Sequence, residues 1–369
     1  MFWLAIRNLF QERTKLLITI GGVAFSVLLI VMLNGLYQGW NTMMGSYAAS
    51  IEADLWVEQK GVGDMYHTLS FLPDDLEARL EQTPGVKNAF PYLGRSVLFT
   101  LNDKEVTLFI VGLNPTTGVG KPTMEKGTWQ TLSAGEIIID AAFARNNDVM
   151  VGDTLSIAER DFRVAGISNG GNLVTSQYAF IHFDDAKTLF QLGNKVNFYI
   201  VQLAAGASAA TTEQAILDRF SDTNVLTKNE FVQKAKSVIQ DTFLPIIFIL
   251  DLIALLVGIA VIGLTTYSAT IEKAREYGVM KAIGFNNRQL LTLVFYQALI
   301  AGLIGYAVGV ALAFPIGIAG EQYASAFLTN IRPFDLAWVF GLTALMVLVA
   351  AYIPVRRISR IDPAEVFKN

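Results

Sequence analysis

Leu16 to Tyr37 reads LLITIGGVAFSVLLIVMLNGLY, a run without a single charge. Each helical residue rises about 1.5 Å, so a run of this length matches the roughly 30 Å hydrocarbon core of a bilayer. Three further windows meet the same test: Phe243 to Tyr267, Leu290 to Ile318 and Leu336 to Pro354. Only the second carries a charge, Asp251, and the third is long enough to tilt or to break near Pro315. A chain that is 53% hydrophobic and 16% charged is too apolar for an ordinary soluble domain, and its solvent is expected to be lipid. A second reading of the first window is a cleaved signal peptide with Ser46 and Ala48 at the small-residue positions. Its apolar run exceeds the roughly 7 to 15 residues of a signal core, which favours a retained span.

Orientation follows from basic residues beside short flanks. Arg7, Arg13 and Lys15 precede the first span; Lys273, Arg275, Lys281 and Arg288 lie between the second and third; Arg356, Arg357, Arg360 and Lys368 follow the fourth. All three segments read as cytoplasmic. Gln38 to Val57 has no Lys or Arg and the loop between spans three and four carries only Arg332, so both read as external. The expected architecture is an α-helical membrane protein with four transmembrane helices and a large α+β extracytoplasmic domain inserted between the first and second. In order, the segments are a cytoplasmic interfacial helix (1–15), TM1 (16–37), the exposed domain with helical stalks (38–242), TM2 (243–267) and a cytoplasmic segment (268–289). TM3 (290–318), an outer loop (319–335), TM4 (336–354) and a cytoplasmic tail (355–369) complete it. In the first segment Phe2, Trp3, Ile6, Leu9 and Phe10 recur at helical spacing opposite Arg7, Asn8, Gln11 and Arg13, the pattern of a helix lying on the bilayer surface.

The exposed domain alternates strands and short helices. Asp74-Asp75-Leu76-Glu77 starts a helix ended by Pro84-Gly85, and Ser96–Leu101 pairs with Glu105–Val111 around Asn102-Asp103. Thr154–Ile157 pairs with Phe162–Ile167, Tyr178–His182 and Phe198–Leu203 read as strands, and Thr211–Phe220 reads as a helix with a threonine cap. Lys228 to Thr242 is helix-compatible and runs into TM2 without Gly or Pro before Pro245, as a stalk would.

Several chemistries are excluded. The net charge is −4 with no basic run, which leaves no footprint for nucleic acid. There is no cysteine, hence no disulfide and no thiolate metal site, and the imidazoles His67 and His182 are isolated. Gly118-Val119-Gly120-Lys121 resembles a phosphate loop, but Pro115 stands where the first Walker glycine belongs and Pro122 where the Ser or Thr belongs. The acidic pairs Asp74-Asp75 and Asp184-Asp185 read as charges at helix starts, and Gly170-Gly171 as a loop. No catalytic residues, no metal ligands and no directly bound cofactor are expected.

Two groups of residues in the spans invite a role. Gly21, Gly22, Ala24 and Ser26 give TM1 a small face suited to packing against a second copy. Asp251, about two turns inside the outer end of TM2, is costly in lipid and needs a wet cavity or a partner; Met32, Asn34 and Tyr37 of TM1 are its natural neighbours. The cluster reads either as the lining of a route for an amphiphile or as a packing contact hydrated from outside.

Between TM2 and TM3 the chain reads TIEKAREYGVMKAIGFNNRQL, Thr270 to Leu290, with Glu272 and Glu276 four apart and the short apolar stretch Gly278–Phe285 between two glycines. Such a break lets a spanning helix run on, turn sharply and present a short helix to another protein. EKAREYGVMKAIG followed by RQL resembles the cytoplasmic segment of the MacB, FtsX and LolC type of ABC transporter permease. The closing RRISRIDPAEVF, Arg356 to Phe367, is similar to that family's C-terminus, and the layout of spans matches along the whole chain; Tyr277 and Phe285 depart from the usual pattern. The resemblance implies a compact exporter permease without a fused ATPase. Its partners are two copies of a cytoplasmic ABC ATPase using ATP and Mg, a second permease copy or paralogue, and in some members an extracytoplasmic adaptor. Glu272, Arg275, Glu276, Gly278, Met280, Lys281 and Gly284 are then expected to couple to the ATPase, and closure of the ATPase to be passed through the stalks. Family substrates are amphiphiles of the haem, drug, lipid or lipoprotein class. The alternative the family offers is a signal transducer that regulates an extracytoplasmic enzyme.

Overall fold

The apolar pattern of the first window does not stop at Tyr37: Trp40, Met43, Met44, Tyr47 and Ala48 continue it at helical spacing with no proline to end it. The computed structural model, which describes residues 2–359 except 64, 67, 68, 172, 174, 175 and 324–326, opens accordingly with helices α1 (Phe2–Gln11) and α2 (Arg13–Ser50). Strands β1 (Leu55–Gln59) and β2 (Leu72–Pro73), helix α3 (Leu76–Glu81) and strands β3 (Val86–Leu101), β4 (Lys104–Leu113), β5 (Thr123–Lys126) and β6 (Glu136–Asp140) follow. Next come α4 (Ala141–Asn146), β7 (Thr154–Ile157), β8 (Arg160–Asn169), β9 (Gln177–His182) and α5 (Phe183–Leu189). The exposed segment ends with β10 (Lys195–Val196), β11 (Phe198–Leu203), α6 (Ala209–Arg219) and β12 (Thr223–Thr227). Helices α7 (Lys228–Glu272), α8 (Ala274–Ala282), α9 (Asn287–Tyr323) and α10 (Pro333–Ser359) close the chain. His67 and the closing motif from Arg360 onward lie outside the described residues.

Contacts divide the chain into two units, one formed by residues up to Gly39 and from Phe243 on, the other by Trp40–Thr242. Among the described residues four helices are long and apolar enough to cross a membrane: α2, α7, α9 and Pro333–Tyr352 of α10. The sheet-rich unit falls between the first and second of them.

In that unit the main sheet runs β12-β1-β11-β3-β4-β9-β6-β8-β5, with β7 beside β8. The long β3 serves two neighbours, pairing through Val86–Tyr92 with β11 and through Leu93–Leu101 with β4. Asn102-Asp103 and Ala158-Glu159 both take positive φ, between 48° and 65°, which is the twist a two-residue hairpin turn needs. Both faces of the sheet are covered. Leu55, Val57, Ile110, Ile139, Ala179, Ile181 and Val201 belong to one core, while the alternating Trp56, Tyr178, Phe180 and Phe198 are buried on the other side. Double burial explains why β6, whose Ile137, Ile138 and Ile139 are all inaccessible, shows no alternation in sequence.

The aromatic face receives the ends of both long helices. Trp56 stacks on Phe231 of α7 with ring centroids 3.9 Å apart, and Tyr47 of α2 lies 4.4 Å from Tyr178 and donates its hydroxyl to the Gly120 carbonyl at 2.8 Å. The Gly118–Lys121 segment is thus a turn gripped by α2, with Lys121 over the Trp129 ring. Lys234 of α7 pairs with Glu58, a fully buried carboxylate that also accepts from Asn224 at 2.9 Å. Thr227 and Glu230 start α7 with a reciprocal capping box: the carboxylate accepts the Thr227 N–H at 2.8 Å and the hydroxyl accepts the Glu230 N–H at 3.3 Å.

Some local expectations change. The helix expected from Thr211 begins at Ala209, with Ser208 at the cap position. The acidic pairs do not cap with their side chains: Asp74 pairs with Lys187 at 2.8 Å, Asp185 accepts the Gly135 N–H at 2.8 Å, and it is His182 that accepts the Asp184 N–H. For Asp74 and Asp185 a partner remote in sequence, Lys187 or Gly135, replaces the local one. Replacing Phe231 by alanine empties the stack under Trp56 and is expected to cost about 3–5 kcal/mol, read as a lower unfolding temperature of the detergent-purified chain.

The unit of spanning helices is organised by α9. Ala298, Ala301, Gly302, Gly305, Gly309, Ala313 and Gly317 form a buried stripe along it. A Cβ at Gly305 would lie 2.6 Å from Val23, one at Gly309 would lie 2.6 Å from the Ala24 carbonyl, and one at Gly302 would lie 2.5 Å from Val347. Such stripes let helices approach where lipid removes the hydrophobic drive to associate. Part of the small face of the first span is occupied within the chain in the same way. Gly22 seats Val261, Ala24 receives α9, and Ser26 is fully buried beside Gly258. A Cβ at Gly21 meets no atom within 4 Å, so Gly21 alone of the four stays outward. Gly305→Ala is expected to destabilise the protein by about 1–3 kcal/mol through overpacking, while Gly21→Ala is neutral or slightly stabilising; melting curves in detergent separate the two.

Candidate functional site

The charged segment after the second span is held by contacts made far from it in sequence. Helix α7 runs to Glu272 and breaks at Lys273, a buried lysine whose ammonium lies 3.2 Å from Glu12 Oε1, and α8 begins at Ala274. The expected break at Gly278 is therefore displaced by five residues: Gly278 is buried within α8, next to Tyr277. Tyr277 is anchored in a cluster of Ala5, Leu290, Leu293 and Val294, and burial pushes its phenol up to about 12, so it stays neutral. Gly284 does end the helix. At φ 105° it allows its own N–H to reach the Lys281 carbonyl and the Phe285 N–H to reach the Met280 carbonyl, both at 3.0 Å. Met280 and Phe285 each pack against the Tyr277 cluster.

Glu272 is engaged within the chain. Its carboxylate pairs with Lys15 of α2, which also lies 3.2 Å from Glu12 Oε2. The hydrogen bond from Lys15 holds Glu272 below the usual carboxylate range. Burial opposes the charge on Lys15, but the bonds to Glu272 and Glu12 outweigh it and raise its pKa. The lowered acid contributes above its unfolded pKa and the raised base below its own, so the pair persists throughout the neutral range. One turn deeper, the Thr19 hydroxyl donates to Thr265 Oγ1 at 2.8 Å.

What α8 leaves in the open is a different set. Arg275, Glu276, Val279 and Ile283 are exposed, with Val279 41% and Ile283 70% accessible. Together with Leu4 and Asn8 of α1, residues Glu272, Arg275, Glu276, Val279 and Met280 line a groove. Of the seven residues anticipated here, Arg275 and Glu276 face outward, Met280 is half-buried in the groove wall, Lys281 is half-buried, and Gly278 is covered. Val279 and Ile283 were missed because they were read as part of an apolar turn. Counted from Ala274, positions 275, 276, 279 and 283 share one helical face.

In the spanning unit, Asn34 donates its amide to Asp251 Oδ2 at 2.8 Å and to the Ile30 carbonyl at 2.9 Å. Asp251 Oδ1 is covered and has no hydrogen-bond partner among the described residues. Met32 is buried in the apolar core between the helices, and Tyr37 lies within electrostatic reach of Arg332 instead. The anticipated four-residue cluster is thus a two-residue pair. Asp251→Asn keeps an acceptor for Asn34 and is expected to leave stability unchanged, whereas Asp251→Leu removes it and is expected to cost about 1–3 kcal/mol in thermal unfolding. Among the described residues no three His, Asp or Glu side chains gather as metal ligands would.

Comparison with known proteins bears on both units. Residues 16–219 match the model of a MacB-like periplasmic core domain, and residues 248–363 match that of an FtsX-like permease C-terminal domain. An uncharacterised ABC transporter permease of Methanocaldococcus jannaschii is 24% identical over 99% of this chain and 96% of its own length. The macrolide export ATP-binding/permease protein MacB of Sodalis glossinidius is 23% identical over 99% of this chain and 60% of its own length. Among solved structures, the periplasmic region of MacB from Actinobacillus actinomycetemcomitans aligns over 52% of this chain and 94% of its own, at 13% identity and a TM-score of 0.37.

Proposed function

Because this chain belongs to the family of ABC transporter permeases built from a MacB-like periplasmic core domain and an FtsX-like permease domain, we propose that it moves an amphiphilic substrate with energy from a separate ATPase. In this reading two permeases associate with two copies of a cytoplasmic ABC ATPase. The ATPase subunits bind and hydrolyse ATP with Mg, and the permease itself binds no cofactor. Both termini and α8 lie on the cytoplasmic side, in keeping with the basic residues that flank the spans.

The observation that carries the proposal is the exposed face of α8. Arg275 and Glu276 beside Val279 and Ile283 offer charges and an apolar ridge, the composition of a docking surface rather than of a solvated loop. Glu272 at the end of α7 and Lys273 at its junction with α8 pair with Lys15 of α2 and with Glu12, which joins α1 to α2, so in this reading a push on α8 reaches the two long helices through that junction. Helix α7 is continuous from Lys228 to Glu272 and α2 from Arg13 to Ser50, which supports transmission of ATP-driven movement along them to the exposed domain.

The test is to purify the chain with its ATPase and compare two variants. Glu276→Lys reverses an outward charge and is expected to lose the ATPase on purification or to lower ATP hydrolysis at least tenfold. Glu272→Gln keeps an oxygen that accepts from Lys15 and so preserves that contact; it is expected to keep the partner, with hydrolysis within about threefold of the parent. Equal behaviour of the two would remove α8 from the interface. Hydrolysis that rises on addition of an amphiphile, with movement of that amphiphile across vesicles, supports transport; hydrolysis without movement supports a signal transducer.

A further inference from the structure

The outer loop between α9 and α10 lies against the first spanning helix at two glycines. The Asn330 N–H donates to the Gly35 carbonyl of α2 at 2.9 Å, and a Cβ at Gly39 would fall 2.0 Å from the Leu328 carbonyl oxygen. Backbone meets backbone there, and no side chain at position 39 fits without moving the loop. Toward α9 and α10 the same loop is held by stronger bonds. The Glu321 carboxylate accepts the Thr329 N–H at 3.0 Å and its hydroxyl at 3.3 Å, while Arg332 makes a two-pronged contact with Asp335 at 3.0 and 2.8 Å. Phe327 fits over Gly320 and Thr329 over Gly317.

The two sides of the loop differ in kind. Charge-assisted bonds fix it to α9 and α10, whereas the Asn330 bond to α2 is a neutral one to a helical carbonyl, beside Ile331 at Gly35 and Tyr37 within electrostatic reach of Arg332. That carbonyl keeps its own bond to the N–H four residues on, so breaking the Asn330 bond leaves α2 intact and frees an N–H that can donate to water at the outer boundary. We propose that residues 327–332 are a latch, carried by α9 and α10, that holds the outer end of α2 and lets go of it in each ATP-driven cycle. The proposal rests on the permease reading above.

The cysteine-free chain makes a direct test possible. Thr329 sits between two helices: a Cβ at Gly35 would be 3.8 Å from the Thr329 Cβ, and one at Gly317 would be 3.6 Å from it. Both separations fall in the range a disulfide spans. Gly35→Cys with Thr329→Cys would bolt the latch to α2, and Gly317→Cys with Thr329→Cys would bolt it to α9. In the purified complex with its ATPase, oxidation of the first pair is expected to lower ATP hydrolysis at least tenfold, with recovery on reduction, and oxidation of the second to leave it within twofold. Full crosslinking of the first pair without loss of hydrolysis, or equal loss in both pairs, overturns the latch. Absence of hydrolysis even in the unmodified complex instead overturns the permease reading, and the latch with it. If the paired variants fold poorly, single Thr329→Cys serves: its maleimide labelling is expected to be faster during turnover than without nucleotide, and equal rates overturn the proposal.

Discussion

Inside hydrocarbon there is no water to satisfy a backbone N–H or C=O, and no hydrophobic drive to bring one apolar helix to another. The first fact forces each spanning segment to be a helix; the second makes closeness of approach the source of attraction. In this protein closeness is supplied mainly by α9, whose Gly302, Gly305 and Gly309 let Val347, Val23 and the Ala24 backbone come into contact. Gly22 and Gly258 repeat the device between α2, α7 and α10. Two pairs of polar side chains enter this packing, Thr19 with Thr265 and Asn34 with Asp251, each member supplying the partner that lipid would not.

The sheet-rich unit solves the reverse problem. Water is present there, and the sheet hides both of its faces from it. One face is covered by short helices over an aliphatic core. The other is aromatic and closes over Tyr47 of α2 and Phe231 of α7. Flat rings suit this use because they bury large areas while Tyr47 and Tyr66 still find acceptors in the Gly120 and Met44 carbonyls. Helices α2 and α7 are consequently gripped by side chains well beyond the lengths a bilayer asks of them.

Charge is used economically around α8. Glu12, Lys15, Glu272 and Lys273 balance one another within the chain, so the helix is positioned without spending the outward Arg275 and Glu276. A docking surface needs groups that the protein's own fold has not already satisfied, and that division of labour distinguishes carboxylates only four residues apart.

How much of this was legible in advance depends on the range of the interaction. Spans of apolar residues, the turn at Asn102-Asp103, the helix from Leu76 and the layout of four spans around a mixed domain follow from local composition and period, and the motif from Glu272 to Gly284 pointed to the family. Strands β1 and β6 escaped because a strand buried on both faces loses its alternation, and the extension of α2 to Ser50 escaped because a stalk leaving lipid carries no charge to mark the exit. The fate of individual side chains was decided by tertiary structure alone. Whether Gly22 faces a neighbour or Gly21 does, whether Glu272 is free or paired, and whether the chain breaks at Lys273 or at Gly278 each depends on a partner tens or hundreds of residues away: Val261, Lys15 and Glu12. Local sequence sets what a segment prefers, and only the folded chain decides which remote group arrives to satisfy it.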